Sequence, residues 1–327
     1  MNRASILWVV VVLCAGGAIA VRVVRQRSTG PTIRTTAPRP VAAPMGVHDY
    51  VAEPIVHPDE RENGPASIIS LAPSLTETCC ALGLLDRLVG RTAFCVNPPA
   101  VRRVQNVGTL VDANFELIAS IHPEMLLMAE TAGRLREHLD PLGIPYYEVT
   151  DDSLEGLFAG IRTIGRLADR PRTAAMLVVC LEQELAAITE QHRTTRPQRV
   201  LLIFDAMPVP PAPLFVAGQE LFLSELVTRL GHRNAAAELV KEQGVVRSGE
   251  LSLEQLVTLD PDVILELRPD ATPEAMEAMY TAWAEVGPMR AIANRAVRSY
   301  GTKENLVLSP RINIVYRELA QALEDWR

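Results

Sequence analysis

The chain has 327 residues, a net charge of −7 and 48% hydrophobic content, which gives room for about two ordinary domains with real cores and excludes a disordered polymer. An acidic balance, with no basic stripe interleaved with aromatics, excludes a nucleic-acid binder. The five cysteines, Cys14, Cys79, Cys80, Cys95 and Cys180, form no C-x-x-C pair and no Cys/His grouping, so no zinc or other resident metal centre is expected.

Residues 1–27 read as a membrane anchor or signal sequence. Within them residues 6–24, ILWVVVVLCAGGAIAVRVV, are apolar except for Arg22, and Ala18-Ile19-Ala20 offers a cleavage site if the segment is a secretory signal. The length of the run and the arginines at 22, 25 and 27 favour an uncleaved tether. The arginine balance, with Arg3 before the run and three arginines after it, opposes export of the body by the positive-inside rule. Residues 28–66 are rich in Pro, Thr and Ala without helical period, the composition of a semi-extended linker. His48 and His57 within them have no partners at metal-ligand spacing.

From residue 67 strand-like and helix-like runs alternate. Residues 67–168 read as an N-terminal α/β lobe. SIISLA is a strand, Ser74-Leu75-Thr76-Glu77 has the spacing of a capping box opening a helix that runs to Gly83, and RLVG, MLLMA and YYEV are further strands. A helix is expected near residues 135–142 and another over 153–167. Residues 169–196 read as one long connecting helix, with Pro171 in its first turn, Pro197 past its end, and Ala174, Leu177, Leu181, Leu185 and Ile188 on one stripe. Residues 197–327 repeat the alternation in a C-terminal α/β lobe: RVLLIF, LFVAG, DVILEL and VRSY as strands, with helices over 220–230, near Met276 and Ile292, and over 311–326. The fold class is α/β, two similar lobes with central mostly parallel sheets joined by one long helix. Ligands of open α/β sheets bind at the carboxyl ends of strands.

One stretch occurs twice. NFELIASIHPEMLLM returns as SLEQLVTLDPDVILE, with Glu254 standing 138 residues after Glu116 and Pro261 the same 138 after Pro123. Both copies read as a short helix, a break at Pro and a buried strand. Glu116 and Glu254 lie on helices that precede strands, and are expected away from the carboxyl ends.

ASIISLAPSLTETCCALGLLDRLVGRTAFCVNPPAVRRVQNVGTLVDANFELIASIHPEMLLMA, followed in order by RVLLIF, FVAGQELFLSELVTRLGHRN and SPRI, resembles the periplasmic cobalamin-binding proteins and their iron-chelate relatives, the helical-backbone substrate-binding proteins of ABC importers. The resemblance covers residues 67–327. It implies an extracytoplasmic protein, tethered to the cytoplasmic membrane by residues 6–24, that delivers a small-molecule chelate to a permease dimer. Implied ligands are cobalamin, haem or a ferric siderophore, with no covalently bound cofactor. Glu116 and Glu254 match the surface glutamates with which each lobe of such a protein meets an Arg-rich pocket on one permease subunit. Ser74, Phe94, Leu110, Phe204, Lys303, Glu304 and Asn305 fall in segments matching the ligand cleft. Of the cleft aromatics of cobalamin binders only Phe94 and Phe204 remain, whereas Leu110, Ala129 and Ser248 stand where Trp is found. Losing those rings weakens corrinoid binding by about 2 kcal/mol for each buried ring.

An enzyme is disfavoured, since there is no G-x-G-x-x-G after a strand, no P-loop, no G-x-S-x-G and no His beside a candidate nucleophile. A membrane-tethered sensor or scaffold of the same fold, without transport activity, is the alternative: depleted aromatics favour it and the retained Glu pair opposes it. Cys95 could bridge Cys79 or Cys80 in an oxidising compartment. An alkaline-phosphatase fusion joined after residue 66 is expected to be active and a cytoplasmic reporter there silent; the reverse pattern removes the importer reading.

Overall fold

The computed structural model describes residues 9–15, 18–24, 48–60, 63–150, 152–204, 214–242, 248–267, 273–300 and 307–324. It divides into two units, Met1–Val41 and Ala42–Arg327. In the first, strands β1 (Val9–Ala15) and β2 (Ala18–Val24) pair antiparallel with Val9 opposite Val24. The apolar run expected as one continuous anchor is thus two strands here, in keeping with its valine content and the Gly16-Gly17 pair between them. Among the described residues no helix is long and apolar enough to cross a membrane.

The second unit contains both lobes. The N-terminal sheet has the order β4-β3-β5-β6, formed by β3 (Ile68–Ser70), β4 (Leu88–Arg91), β5 (Met125–Ala129) and β6 (Tyr146–Val149), all parallel. Its helices are α1 (Pro73–Ala81), α2 (Phe115–Ile121), α3 (Arg136–Leu139) and α4 (Leu154–Leu167). Helix α5 (Pro171–His192) follows. At about 1.5 Å per residue its 22 residues span roughly 33 Å.

The C-terminal sheet has the order β10-β8-β7-β11-β12, with β9 (Arg233–Asn234) on β7. Strands β7 (Arg199–Phe204), β11 (Val263–Leu267) and β12 (Val297–Tyr300) are parallel, whereas β8 (Leu214–Ala217) and β10 (Ser248–Leu251) extend the sheet antiparallel. Helices α6 (Phe222–Arg229), α7 (Ala237–Glu242), α8 (Leu253–Leu259), α9 (Pro273–Val286), α10 (Arg290–Ala293) and α11 (Ile312–Glu324) complete the lobe. The architecture is the expected one: two lobes with mostly parallel sheets and one long helix between them.

The capping box expected at Ser74 is not formed. Pro73, with its fixed φ and missing N–H, takes the first helical position, Ala72 is the N-cap and makes no side-chain cap bond. Ser74 and Glu77 are both buried, at 5% and 3% exposure.

Residues 48–60, inside the stretch expected as linker, are packed onto the body. Tyr50 and Val51 are buried in its core. Tyr50 donates its hydroxyl to Glu184 on α5, and Asn313 on α11 donates to Glu184 at 2.7 Å and to the His48 carbonyl at 2.8 Å. Glu60 accepts from the Arg172 and Thr173 backbone amides in the first turn of α5, where a carboxylate meets unpaired N–H groups and the positive end of the helix dipole. This strap therefore joins α5 and α11, two helices that already pack on one another. Tyr50→Phe removes a donor from the buried Glu184 carboxylate and is expected to lower unfolding free energy by roughly 1–3 kcal/mol in urea titrations; an unchanged value would mean that the strap contributes nothing to the fold.

Candidate ligand-binding site

The two copies of the repeated stretch are matched in structure as well as in sequence. Helices α2 and α8 each have seven residues. Asn114 accepts from Leu117 N at one start and Ser252 accepts from Gln255 N at the other, each satisfying one orphan amide. The C-caps His122 and Asp260 are both left-handed, with φ of 51° and 43°. Each helix leads into the five-residue strand β5 or β11, buried at every position in the middle of its sheet.

This geometry corrects the expected placement of Glu116 and Glu254. Each helix ends three residues before the amino end of its strand, and a helix joining parallel strands runs opposite to them. The first turn, which carries the glutamate, is thus about 10 Å back toward the carboxyl edge. Both side chains are exposed there.

Two loops form a lip at the carboxyl edge of the N-terminal sheet. The loop after β4 carries Phe94, and the loop before α2 carries Leu110 and Val111; Ala93 N donates to Gly108 O at 2.8 Å, which holds the loops side by side. Phe94 is 66% exposed, Leu110 38% and Val111 98%. Gly108 sits at φ +103° with Asp112 O only 2.3 Å from where a Cβ would stand, so the tight turn behind the lip requires glycine. In the C-terminal sheet Phe204 is the last residue of β7, half-buried against the core, and its strand partner Phe215 on β8 is 51% exposed. Phe215 was not singled out by sequence reasoning; the strand LFVAG was recognised, but its partner and face are set by pairing with β7.

The remaining candidates distribute differently. Ser74 is buried in the N-terminal lobe, where it lines a small cavity together with Val149, Thr150 and Gly160. Ala129 is buried at the end of β5, and Ser248 is exposed at the start of β10. Lys303, Glu304 and Asn305 lie outside the described residues. Trp283 is wholly buried and donates to Glu266 on β11, so its ring belongs to the core. Cys79, Cys80 and Cys95 are buried free thiols rather than a bridged pair. Burial, with Glu77 and Cys95 nearby, pushes the Cys80 thiol up to about 12, which keeps it protonated and unreactive.

Glu77 on α1, the helix that follows β3, lies against Ser309 and Arg311 in the turn that opens α11.

A family model for periplasmic binding proteins matches residues 68–303. The uncharacterized ABC transporter substrate-binding lipoprotein YvrC of Bacillus subtilis is 28% identical over 268 residues, 79% of this chain and 80% of that protein. The vitamin B12-binding protein of Photorhabdus laumondii is 28% identical over 203 residues, 62% of this chain and 70% of that protein. Among solved structures, a possible iron-binding periplasmic solute-binding protein from Staphylococcus epidermidis superposes with a TM-score of 0.68 at 21% identity, over 80% of this chain and 99% of that one; at that identity the likeness concerns the fold. The match to the family model spans most of the body, from the first strand of the N-terminal sheet to the loop after β12, and the chain belongs to the periplasmic binding protein family, whose members bind solutes and are not enzymes.

Proposed function

We propose that this protein is the ligand-capturing component of an ABC importer, that it takes up a large chelate whose metal arrives fully coordinated, and that cobalamin is the first candidate. The observation that carries this reading is the exposed apolar lip of Phe94, Leu110 and Val111 at the carboxyl edge of the N-terminal sheet. A flat macrocycle needs such a surface, and burying it there contributes about 25 cal/mol for each Å² removed from water. Haem additionally calls for an axial donor, commonly an imidazole or phenolate. The described segments 92–98 and 104–114, between β4 and α2, and 130–135, after β5, contain no His, Tyr or Met. A vitamin B12-binding relative points the same way. The N-terminal segment serves in this reading as a tether on the outer side of the cytoplasmic membrane, as the lipoprotein character of the Bacillus relative supports. The alternative of a sensor or scaffold draws on the small residues Ala129 and Ser248, and it predicts that no chromophore is retained.

The test is to incubate the purified full chain with cyanocobalamin, haemin and a ferric siderophore, each separately, and to record the visible spectrum after gel filtration. Cyanocobalamin bands are expected to co-elute, and Phe94→Ala and Val111→Asp to weaken binding by about tenfold each, roughly 1.4 kcal/mol. Both residues are mostly exposed, so stability should stay within about 0.5 kcal/mol of the parent. Retention of haem bands without corrinoid bands would overturn the ligand assignment.

Glu116 and Glu254 are assigned to permease docking, because two equal membrane subunits need two equivalent contacts and the duplicated helices supply them. Charge reversal by Glu116→Lys or Glu254→Lys is expected to weaken association with the permease by about 2 kcal/mol or more each, through like-charge juxtaposition with an Arg pocket. Pull-down of the complex measures this, and a loss of ligand binding with docking intact would contradict the assignment.

A further inference from the structure

A groove of about 920 Å³ lies at the amino edge of the C-terminal sheet, within the size range of small-molecule sites. Its floor follows from the topology. Gln198, Asp262 and Ala296 line it, and each is the residue immediately before one of three adjacent parallel strands, β7, β11 and β12. Arg193 and Arg196, in the loop between α5 and β7, line it as well, as do Arg290 in α10 and Asn294 just after that helix. The groove is therefore distinct from the apolar lip of Phe94, Leu110 and Val111, which belongs to the carboxyl edge of the other sheet.

The positive charge of this lining is not compensated. Asp262 is the one carboxylate among the described lining residues, and both of its oxygens are engaged: Oδ2 accepts from the Arg199 amide at 2.8 Å, and Oδ1 is 2.6 Å from Arg290 Nη1. Arg290 also donates Nε to Asp260 Oδ2 and Nη2 to the Asp260 carbonyl, each at 2.8 Å. That closed set leaves Arg193 and Arg196 without an ion pair among the described residues, in a chain whose net charge is −7. Arg199 and Arg233, register partners at the starts of β7 and β9, add positive charge beside the floor. The backbone that carries Arg193 and Arg196 is pinned, because the Arg193 amide donates to Thr189 O and the Thr194 amide to Leu230 O, both at 2.9 Å, and the Arg196 amide to Thr194 Oγ1 at 3.0 Å. Guanidinium groups on a fixed loop lose less freedom when they take up a partner.

We propose that this groove is a second binding site, for a phosphate-bearing polyanion held by Arg193 and Arg196, with the side-chain amides of Gln198 and Asn294 as neutral donors. The planar fork of a guanidinium group matches two phosphate oxygens at once. No aromatic side chain is among the described lining residues, so the groove offers no stacking platform for a nucleobase, and recognition rests on the charged groups. A free anion and a lipid headgroup present the same phosphate chemistry, and two arms of one experiment separate them.

The full chain is titrated calorimetrically with inorganic pyrophosphate in the absence of divalent cations, and in the second arm it is floated with phosphatidylglycerol vesicles. A saturable isotherm with pyrophosphate, weakening as salt is raised, is expected for a free anion; flotation without such an isotherm assigns the phosphate to a lipid headgroup. In either arm Arg193→Gln with Arg196→Gln should lower affinity at least about tenfold, through loss of two charge-assisted donors. Both side chains are exposed, and their backbone hydrogen bonds do not need the guanidinium groups; Arg196→Gln alone, with a smaller loss, serves if the double variant does not fold. Arg162→Gln with Arg166→Gln removes the same charge from exposed positions on α4 and should leave binding as it is in the parent. Absence of binding in both arms, parent-like binding by the groove variants, or an equal loss in the α4 variant would overturn the proposal. These outcomes do not depend on which chelate the lip binds.

Discussion

Helix α5 has apolar side chains buried along its whole length, and the main core, to which both sheets contribute, is built on that burial. Ala174 near its start packs so closely on α4 that a Cβ on Gly165 would lie 2.3 Å from the Ala174 Cβ. Leu177, Val178, Leu181, Leu185 and Ile188 continue the stripe, and Thr189 near the end reaches Tyr316 of α11 at 2.8 Å. The buried core on this stripe is continuous from Ile68 in the first sheet to Leu323 in the last helix. Two sheets that share one core through a rigid helix cannot hinge freely, because bending would expose side chains whose burial is each worth about 2 kcal/mol. The strap reinforces this, with Tyr50, Asn313 and Glu184 forming a hydrogen-bonded bridge across α5 and α11.

A frame of this kind suits capture between the carboxyl edges rather than enclosure by a large closing motion. The lip residues are already exposed at the edge of the N-terminal sheet, held by the Ala93–Gly108 hydrogen bond and by the positive φ of Gly108. The duplicated helices present their first turns on the same side as the carboxyl edges. In the proposed importer reading, a permease contacting Glu116 and Glu254 would therefore sit over the ligand, a relation that the helix direction supplies without further assumption.

Much of this was legible in the sequence because it is local. The period of α5, bounded by Pro171 and Pro197, and the paired Glu-to-Pro spacing of α2 and α8 carry their structure in adjacent residues, down to the Asn114 and Ser252 caps. What was not legible depends on partners distant in sequence. Ser74-Leu75-Thr76-Glu77 has capping-box spacing, yet the helix starts two residues earlier, at Pro73, and Glu77 is buried near Ser309 and Arg311, over two hundred residues away. The composition of residues 28–66 suggests a spacer, but Tyr50 and Val51 find a core that only tertiary packing provides. Strands β9 and β10 are only two and four residues long, defined by pairing with β7 and β8. The face presented by Glu116 and Glu254 followed from helix direction relative to the strand, which residue order alone had been read as placing at the opposite end.

The central claim is that both lobes form one body through α5 and its shared core. Differential scanning calorimetry of the full chain tests it without reference to any ligand. The account predicts a single transition for the body, with calorimetric and van't Hoff enthalpies in agreement, as expected when one core melts cooperatively. Two resolved transitions, one for each lobe, would contradict it and would make α5 a linker between independent domains.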